Sequence, residues 1–584
     1  MDHEAKRKRS ELSMNPQIER DRQMIVEARQ KGKGALTGVF VRLSGPGWLQ
    51  SAITLGGGSL SSSMYLGLLG GMAFLWLQPL AMVAGIIMLS AISYVTLSTD
   101  ETPLKAINRH VNPVLGWGWL LASMTANIVW SIPQYSLGIA SLRQNLFEGL
   151  LGENGALGGA GLYVAAAIVL CIAMSASMLY NIGGKGAKIF DILVKCLVGT
   201  TVACFVAVVV RLLMTGQIQF GEILDGFMFH TQLLTKPVSA FAEQIAHVAP
   251  AYQGFWSNMI VGQQRDVMIS AGATAVGINM TFLLPYSMLR KGWDREFRGL
   301  AIFDLSTGLF FPFLIATSCV VIAAASQFHG VAAPGLLGEI DSQGAPIQPA
   351  ANLVGPFDDL LAGRVKAELG ADAYAALTPE ELEAEKAALP ESDRTIAAMI
   401  VRRDAFNLAA ALAPITGDRF ARYVFGLGVM GMATGAATML TLINGLCFCA
   451  LLDVPARGWQ QRVGMFMPGI AIVVPLFWKG AYMWLAVPTS VFCMTLLPFA
   501  YISFFLLMNQ RKYLGADTPM GAKRIAWNIL MVFSCLLACV GAFWSIYSRF
   551  GGFKTALIIG GFLVLVAIGH VLRDSRAPES ATLL

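Results

Sequence analysis

The chain has 584 residues, 55% of them hydrophobic and only 13% charged. Soluble proteins carry about 25% charged residues, so a soluble fold is excluded and long apolar runs must alternate with short charged loops. The formal net charge of +6 sits mainly in those loops, a pattern that the positive-inside rule explains without a nucleic-acid partner.

Residues 1–43 form a polar, basic tail, opening with Lys6-Arg7-Lys8-Arg9 and without an early apolar stretch of the signal-peptide kind. Runs long enough to cross a bilayer follow at 46–72, 75–98, 115–141, 160–181, 190–214, 267–289 and 300–325. After a long polar connection they resume at 423–452, 463–478, 481–508, 525–547 and 553–572. The pattern predicts an all-α membrane protein of about 12 transmembrane helices. Helices 1–7 occupy 44–326, an outer loop 327–420, helices 8–11 residues 421–547, and helix 12 with a tail 548–584.

Basic residues mark one set of alternate loops: Lys105 and Arg109, Lys185 and Lys188, Arg290 through Arg298, Arg457 and Arg462, and Arg511 through Arg524. That side is expected in the cytoplasm, with both termini, in a bacterial inner membrane. On the other side, residues 215–264 and 327–420 form two long connections. In the second, Thr378-Pro379-Glu380-Glu381 reads as an N-cap, a helix-starting proline and a capping box, with a helix through Leu389. The region is read as an outer cap, a partner surface or a solvated spacer. The cysteines, all in apolar segments, read as packing residues.

Two spans carry internal breaks. In the first, Thr54-Leu55-Gly56-Gly57-Gly58-Ser59 places three glycines in mid-membrane, each costing a helix about 1 kcal/mol relative to alanine. Unwound backbone survives at that depth only when buried in protein or lining a wet cavity. Ser59 is expected to cap a second half-helix. In the sixth, Asn279, Thr281 and Pro285 interrupt an apolar run around Met280. Two interrupted helices at corresponding places point to a transporter's central site. Substrate-binding residues are therefore expected among Thr54, Gly56, Gly57, Gly58, Ser59, Asn279, Met280 and Thr281. Asn127, Gln134, Thr434 and Thr438 are expected along the path or as interhelical glue.

At these residues the sequence resembles the Nramp family of divalent-metal transporters. Gly45-Pro46-Gly47 is followed by Gly56-Gly57-Gly58-Ser59 at the offset where that family carries Asp-Pro-Gly-Asn. Gly183-Gly184-Lys185, Asp304, Leu497-Pro498-Phe499-Ala500 and Arg511-Lys512 also look alike. The resemblance implies a LeuT-like fold, two inverted five-helix repeats with broken helices 1 and 6, working by alternating access. It also implies divalent metal ion transport. The chain departs from the family where metal is bound. Gly56 and Ser59 stand at the Asp and Asn positions, and Met280-Thr281-Phe282 replaces Met-Pro-His. Ile132 and Tyr135 stand at acidic positions of helix three.

A dehydrated divalent ion needs negative charge or many oxygens, and this set offers only neutral groups. A Gly-rich half-helix N-terminus suits an anion instead, so an amino acid or small carboxylate is the alternative substrate. Asp304, with Asp191 and Lys195 four residues apart, are candidates for ion coupling or a structural ion pair. The six histidines form no metal-ligand spacing, so an enzyme is not expected, and nothing in the sequence calls for a cofactor. A non-transporting receptor or assembly protein on the same fold is the remaining alternative. The expected partners are the lipid bilayer and a small ion or small-molecule substrate.

Overall fold

The structure is a computed structural model that describes residues 16–44, 50–51, 53–99, 101–182, 184–417, 420–478 and 480–576. It is all-α among those residues, with one isolated β-bridge, Ile340 to Pro346. Helices Leu77–Ser98, Pro113–Ala140, Ala160–Ile182, Gly184–Met214 and Phe425–Leu451 match the second, third, fourth, fifth and eighth expected spans. The seventh runs from Arg298 to Phe328 through a π-helical turn at Leu305–Leu309. The ninth is bent, with a 3-10 stretch at Met467–Ile472 between two short helices. The tenth is interrupted between Met494 and Leu497.

The last two spans form one element, Gly521–Arg576, with a corner at Gly551, where φ is 71°. That left-handed conformation is cheap only for glycine. Most side chains of this element are exposed, as expected of a lipid-facing surface.

Both breaks are present and shorter than the sequence led us to expect. In the first span the helix pauses only at Leu55 and Gly56, and the second half, Gly57–Gly70, is buried throughout. Gly56 is extended, with φ −83° and ψ −178°, and is itself the N-cap, a place the sequence reading gave to Ser59. In the sixth span the helix ends at Ala275, Val276 and Gly277 are extended, and helix resumes at Ile278. Pro285 lies inside the second half and does not break it.

The sixth span begins at Pro250, upstream of the expected start at 267. Gln263, Gln264, Arg265 and Asp266 dilute its hydropathy. The helix is nevertheless anchored by buried Trp256 and Ile260. The Gln264 amide is spent on backbone, donating to Leu233 O and Lys236 O at 3.1 Å and accepting from Val238 N at 3.2 Å.

The connection 327–420 is a folded cap. Its helices Ala351–Leu369, Ala371–Ala375, Pro379–Ala388, Glu391–Ile400 and Ala405–Thr416 share one hydrophobic core with the second half of the first span. The expected capping box is formed: Glu381 N donates to Thr378 Oγ1 and Thr378 N to Glu381 Oε2. Inside the cap, Asp393 Oδ1 accepts from Arg364 Nε at 2.8 Å and from Trp256 Nε1 at 2.7 Å. Arg364 also stacks on Tyr252, 3.4 Å from the ring centre. Both tryptophan and tyrosine belong to the sixth span, so the cap is riveted to its first half.

At the other end, the tail helices Pro16–Lys31 and Lys33–Leu43 dock against the loop between the sixth and seventh spans. Arg22 pairs with Asp294 at 2.5 Å and Arg29 with Glu296 at 2.6 Å.

Candidate functional site

The two breaks meet across one small cavity. It measures about 40 Å³ and is lined by Ile53, Gly58 and Ser59 of the first span and Thr274, Asn279 and Met280 of the sixth, among others. Trp130 and Gln134 from the third span and Ala436 from the eighth complete the wall. One water needs about 10–15 Å³ on this measure, so the space holds about three.

Two loose ends of backbone in the first break are taken up by side chains. The Gly57 N–H donates to Gln134 Oε1 at 3.0 Å. The Ser59 hydroxyl reaches back to Thr54 O, and lies 3.4 Å from Thr274 O in the sixth span. Ser59 therefore ties the halves of one broken helix together and touches the other. Thr54 donates to the Met280 sulfur at 3.4 Å, a second bridge between the breaks. Asn279 Oδ1 accepts from Met280 N at 2.8 Å in the first turn of the second half-helix, where free N–H groups need a partner.

Glycine is required at two places by close approach. A Cβ on Gly57 would lie 2.2 Å from Leu137 Cδ1, and one on Gly277 would lie 2.4 Å from the Trp130 ring.

The other expected site residues fall elsewhere. Gly56 packs beside Ala436. Thr281 faces away from the cavity, accepting from Trp119 Nε1 at 2.9 Å and donating to Ile278 O at 2.5 Å. Asp304 is buried against Ser44, next to the start of the first span, and does not line the cavity. Asp191 and Lys195 lie on helix Gly184–Met214, and their side chains are outside the described residues. Residues 45–49, with the Gly-Pro-Gly motif, are outside them too. Thr434 and Thr438 bond to carbonyls of their own helix. Asn127 is fully buried with neither amide atom bonded among the described residues. Trp130 and Thr274 escaped the sequence reading, since nothing in their local sequence marks a residue that faces a break on another helix.

The cavity lining carries no formal charge. Among the described residues, no three of His, Cys, Asp and Glu converge into a metal-holding group anywhere.

The cap sets charged residues against the first and tenth spans. Residues 402–404 wedge between the ends of the first and tenth spans. Tyr65 donates to Arg403 O at 2.7 Å, Arg402 stacks on Trp484 at 4.2 Å, and Asp404 Oδ1 accepts from Met483 N at 2.8 Å. Burial pushes the Asp404 carboxyl up to about 6, against the pull of the backbone N–H groups it accepts from.

Two interrupted helices that meet at a shared cavity inside a helical bundle are the arrangement of the LeuT-type fold. A family model described as natural resistance-associated macrophage protein-like, Nramp, matches residues 394–543. The fold is shared with a manganese transporter of Eremococcus coleocola. A histidine-to-alanine mutant of that protein aligns with a TM-score of 0.53 at 14% identity, covering 92% of this chain and 96% of that one. The same transporter in complex with an aromatic bis-isothiourea substituted compound aligns with a TM-score of 0.51 at 14% identity, covering 93% and 97%. No curated protein matches the chain. The match to the Nramp model is confined to residues 394–543, about a quarter of the chain, and the first break, with its Gly56-Gly57-Gly58-Ser59, lies outside it.

Proposed function

We propose that the chain is a secondary transporter that carries a small divalent metal cation across a bacterial plasma membrane by alternating access, with both termini in the cytoplasm. The observation that carries this reading is the convergence of both helix breaks on one cavity, bridged from Thr54 to the Met280 sulfur. The family match and the manganese transporters that share the fold supply the substrate class.

Cavity size speaks against the alternative substrates. Room for about three waters leaves none for an amino acid or a small carboxylate in this conformation. Cavity chemistry sets the mode of binding. With neutral ligands only, a divalent ion must keep part of its water shell, because stripping it without compensating charge is prohibitive. Thr54, Ser59, Asn279 and Met280 are the residues we assign to it. Ser59 and Thr54 hydroxyls hold retained water, and the Met280 sulfur favours softer ions over Mg²⁺.

The test is uptake into proteoliposomes, screening Mg²⁺, Mn²⁺, amino acids and small carboxylates in parallel. Saturable, protein-dependent flux of a divalent ion is expected, with an apparent affinity weaker than micromolar. Flux of an organic solute, or none at all as a receptor would give, overturns the reading.

A further inference from the structure

A second, larger groove lies at the opposite end of the bundle from the cap. It measures about 970 Å³ and is formed where the start of the third span meets the ends of the tenth and twelfth and the start of the eleventh. Five permanently charged side chains line it: Arg109, Arg511, Lys512, Arg524 and Arg573. No carboxylate lines it among the described residues.

Some of this charge is already engaged. Arg573 donates to the carbonyls of His110 and Val111, and Arg524 to Asn509 Oδ1 at 3.2 Å. His110, also in the lining, pairs with Glu101 at 3.3 Å. Arg109, Arg511 and Lys512 have no ion-pair partner among the described residues. Gathering like charges costs energy unless an anion joins them.

The other wall is apolar. Leu506, Leu563, Val566 and Val571 line the same groove, and Leu563 and Val571 are more than half exposed on the face of the last span that meets lipid. A groove cationic at its head and greasy along its side matches a molecule with a phosphate at one end and hydrocarbon at the other. Arginine suits the head, since its planar fork meets phosphate oxygens two at a time.

We propose that this groove is a binding site for an anionic phospholipid, held by its phosphate on Arg109, Arg511 and Lys512 with its acyl chains against the last span. The lipid would bridge elements that already touch one another. Protein contacts of the last span here include Asn112 Nδ2 to Val566 O at 2.8 Å and the Phe499–Phe562 ring pair. The occupied site therefore braces the last span against the exit of the tenth.

The proposal is tested on the full chain by native mass spectrometry and thermal unfolding in phosphatidylglycerol or phosphatidylcholine nanodiscs. The protein is compared with the triple variant Arg109→Gln, Arg511→Gln, Lys512→Gln. Selective retention of phosphatidylglycerol is expected, with a higher melting temperature than in phosphatidylcholine. The variant is expected to lose at least about tenfold in retention, given the attraction each basic side chain supplies. Equal retention of both lipids by the native chain, or undiminished phosphatidylglycerol retention by the variant, overturns it. Inorganic phosphate and glycerol phosphate form a further arm. Stabilisation by either as large as that by the lipid identifies a soluble-anion site and overturns the lipid assignment. Should the variant fail to fold, the native chain's lipid preference and the phosphate arm decide alone.

Discussion

On the cap side of the cavity, Arg402, Arg403 and Asp404 are packed among Tyr65, Trp484 and the backbone of Met483, and Asp404 is 1% exposed. On the tail side, Arg22 and Arg29 reach Asp294 and Glu296 through ion pairs in which Arg29 is 51% exposed. Both regions join separate elements with arginines and carboxylates, yet they differ in what breaking them costs. Exposed pairs contribute about 0–1 kcal/mol and weaken with salt, whereas burial makes the loss of a single partner expensive. The tail-side contacts are thus the easier ones to break.

The strongest test lies at the helix break between the two regions. Gly57→Leu would drive a side chain into Leu137, and transport is expected to vanish while the thermal unfolding profile persists. Normal uptake by that variant would mean the break is not the moving part. Next in size, Asp393→Ala leaves Arg364 Nε and the Trp256 N–H without their shared acceptor, while Arg364 keeps Glu368 at 2.8 Å. It should loosen the cap by about 1–3 kcal/mol, read as faster hydrogen exchange across residues 351–400. Unchanged protection there would refute a riveted cap. Gln134→Leu leaves the Gly57 N–H unpartnered, at about 1–3 kcal/mol, and uptake should fall at least about tenfold with the fold retained.

A graded effect comes from pH. The docked Asp404 holds its proton up to about 6, above the ordinary carboxyl value of 3.8 that a released cap would restore. The docked cap therefore binds the extra proton between those values. Docking is weakest above pH 6, tightens as pH falls through 6, and levels off below 4. Hydrogen exchange of the cap against pH measures this, and Asp404→Asn should flatten the curve. The smallest effect is expected for Arg29→Ala, under about 1 kcal/mol, and raised salt should mimic it in tail-side accessibility labelling. A tail-side variant as damaging as Asp393→Ala would erase the distinction.

Much of this architecture is legible in residue order, because crossing a bilayer forces long apolar runs and because three glycines in mid-membrane have few other uses. The Thr378 box is legible too, since its partners lie three residues apart. The start of the sixth span is not. Gln264 and Asp266 look like loop until the backbone groups around residues 233–238 and the cap arrive to satisfy and cover that helix. Ser59 misled in a similar way. A serine after glycines reads as a cap, but its hydroxyl works backwards, on the half-helix before it. The role of residues 401–404 depends on packing against Tyr65 and Trp484, far away in sequence, and no local pattern announces such a meeting.

The corner at Gly551 has a consequence for how the molecule is made. A straight 56-residue helix would reach about 84 Å, yet Arg524 and Arg573 border one groove, so the rod is doubled back on a single residue. The two last spans thus form a hairpin joined without a separate loop. The hairpin also returns the chain to the face it left.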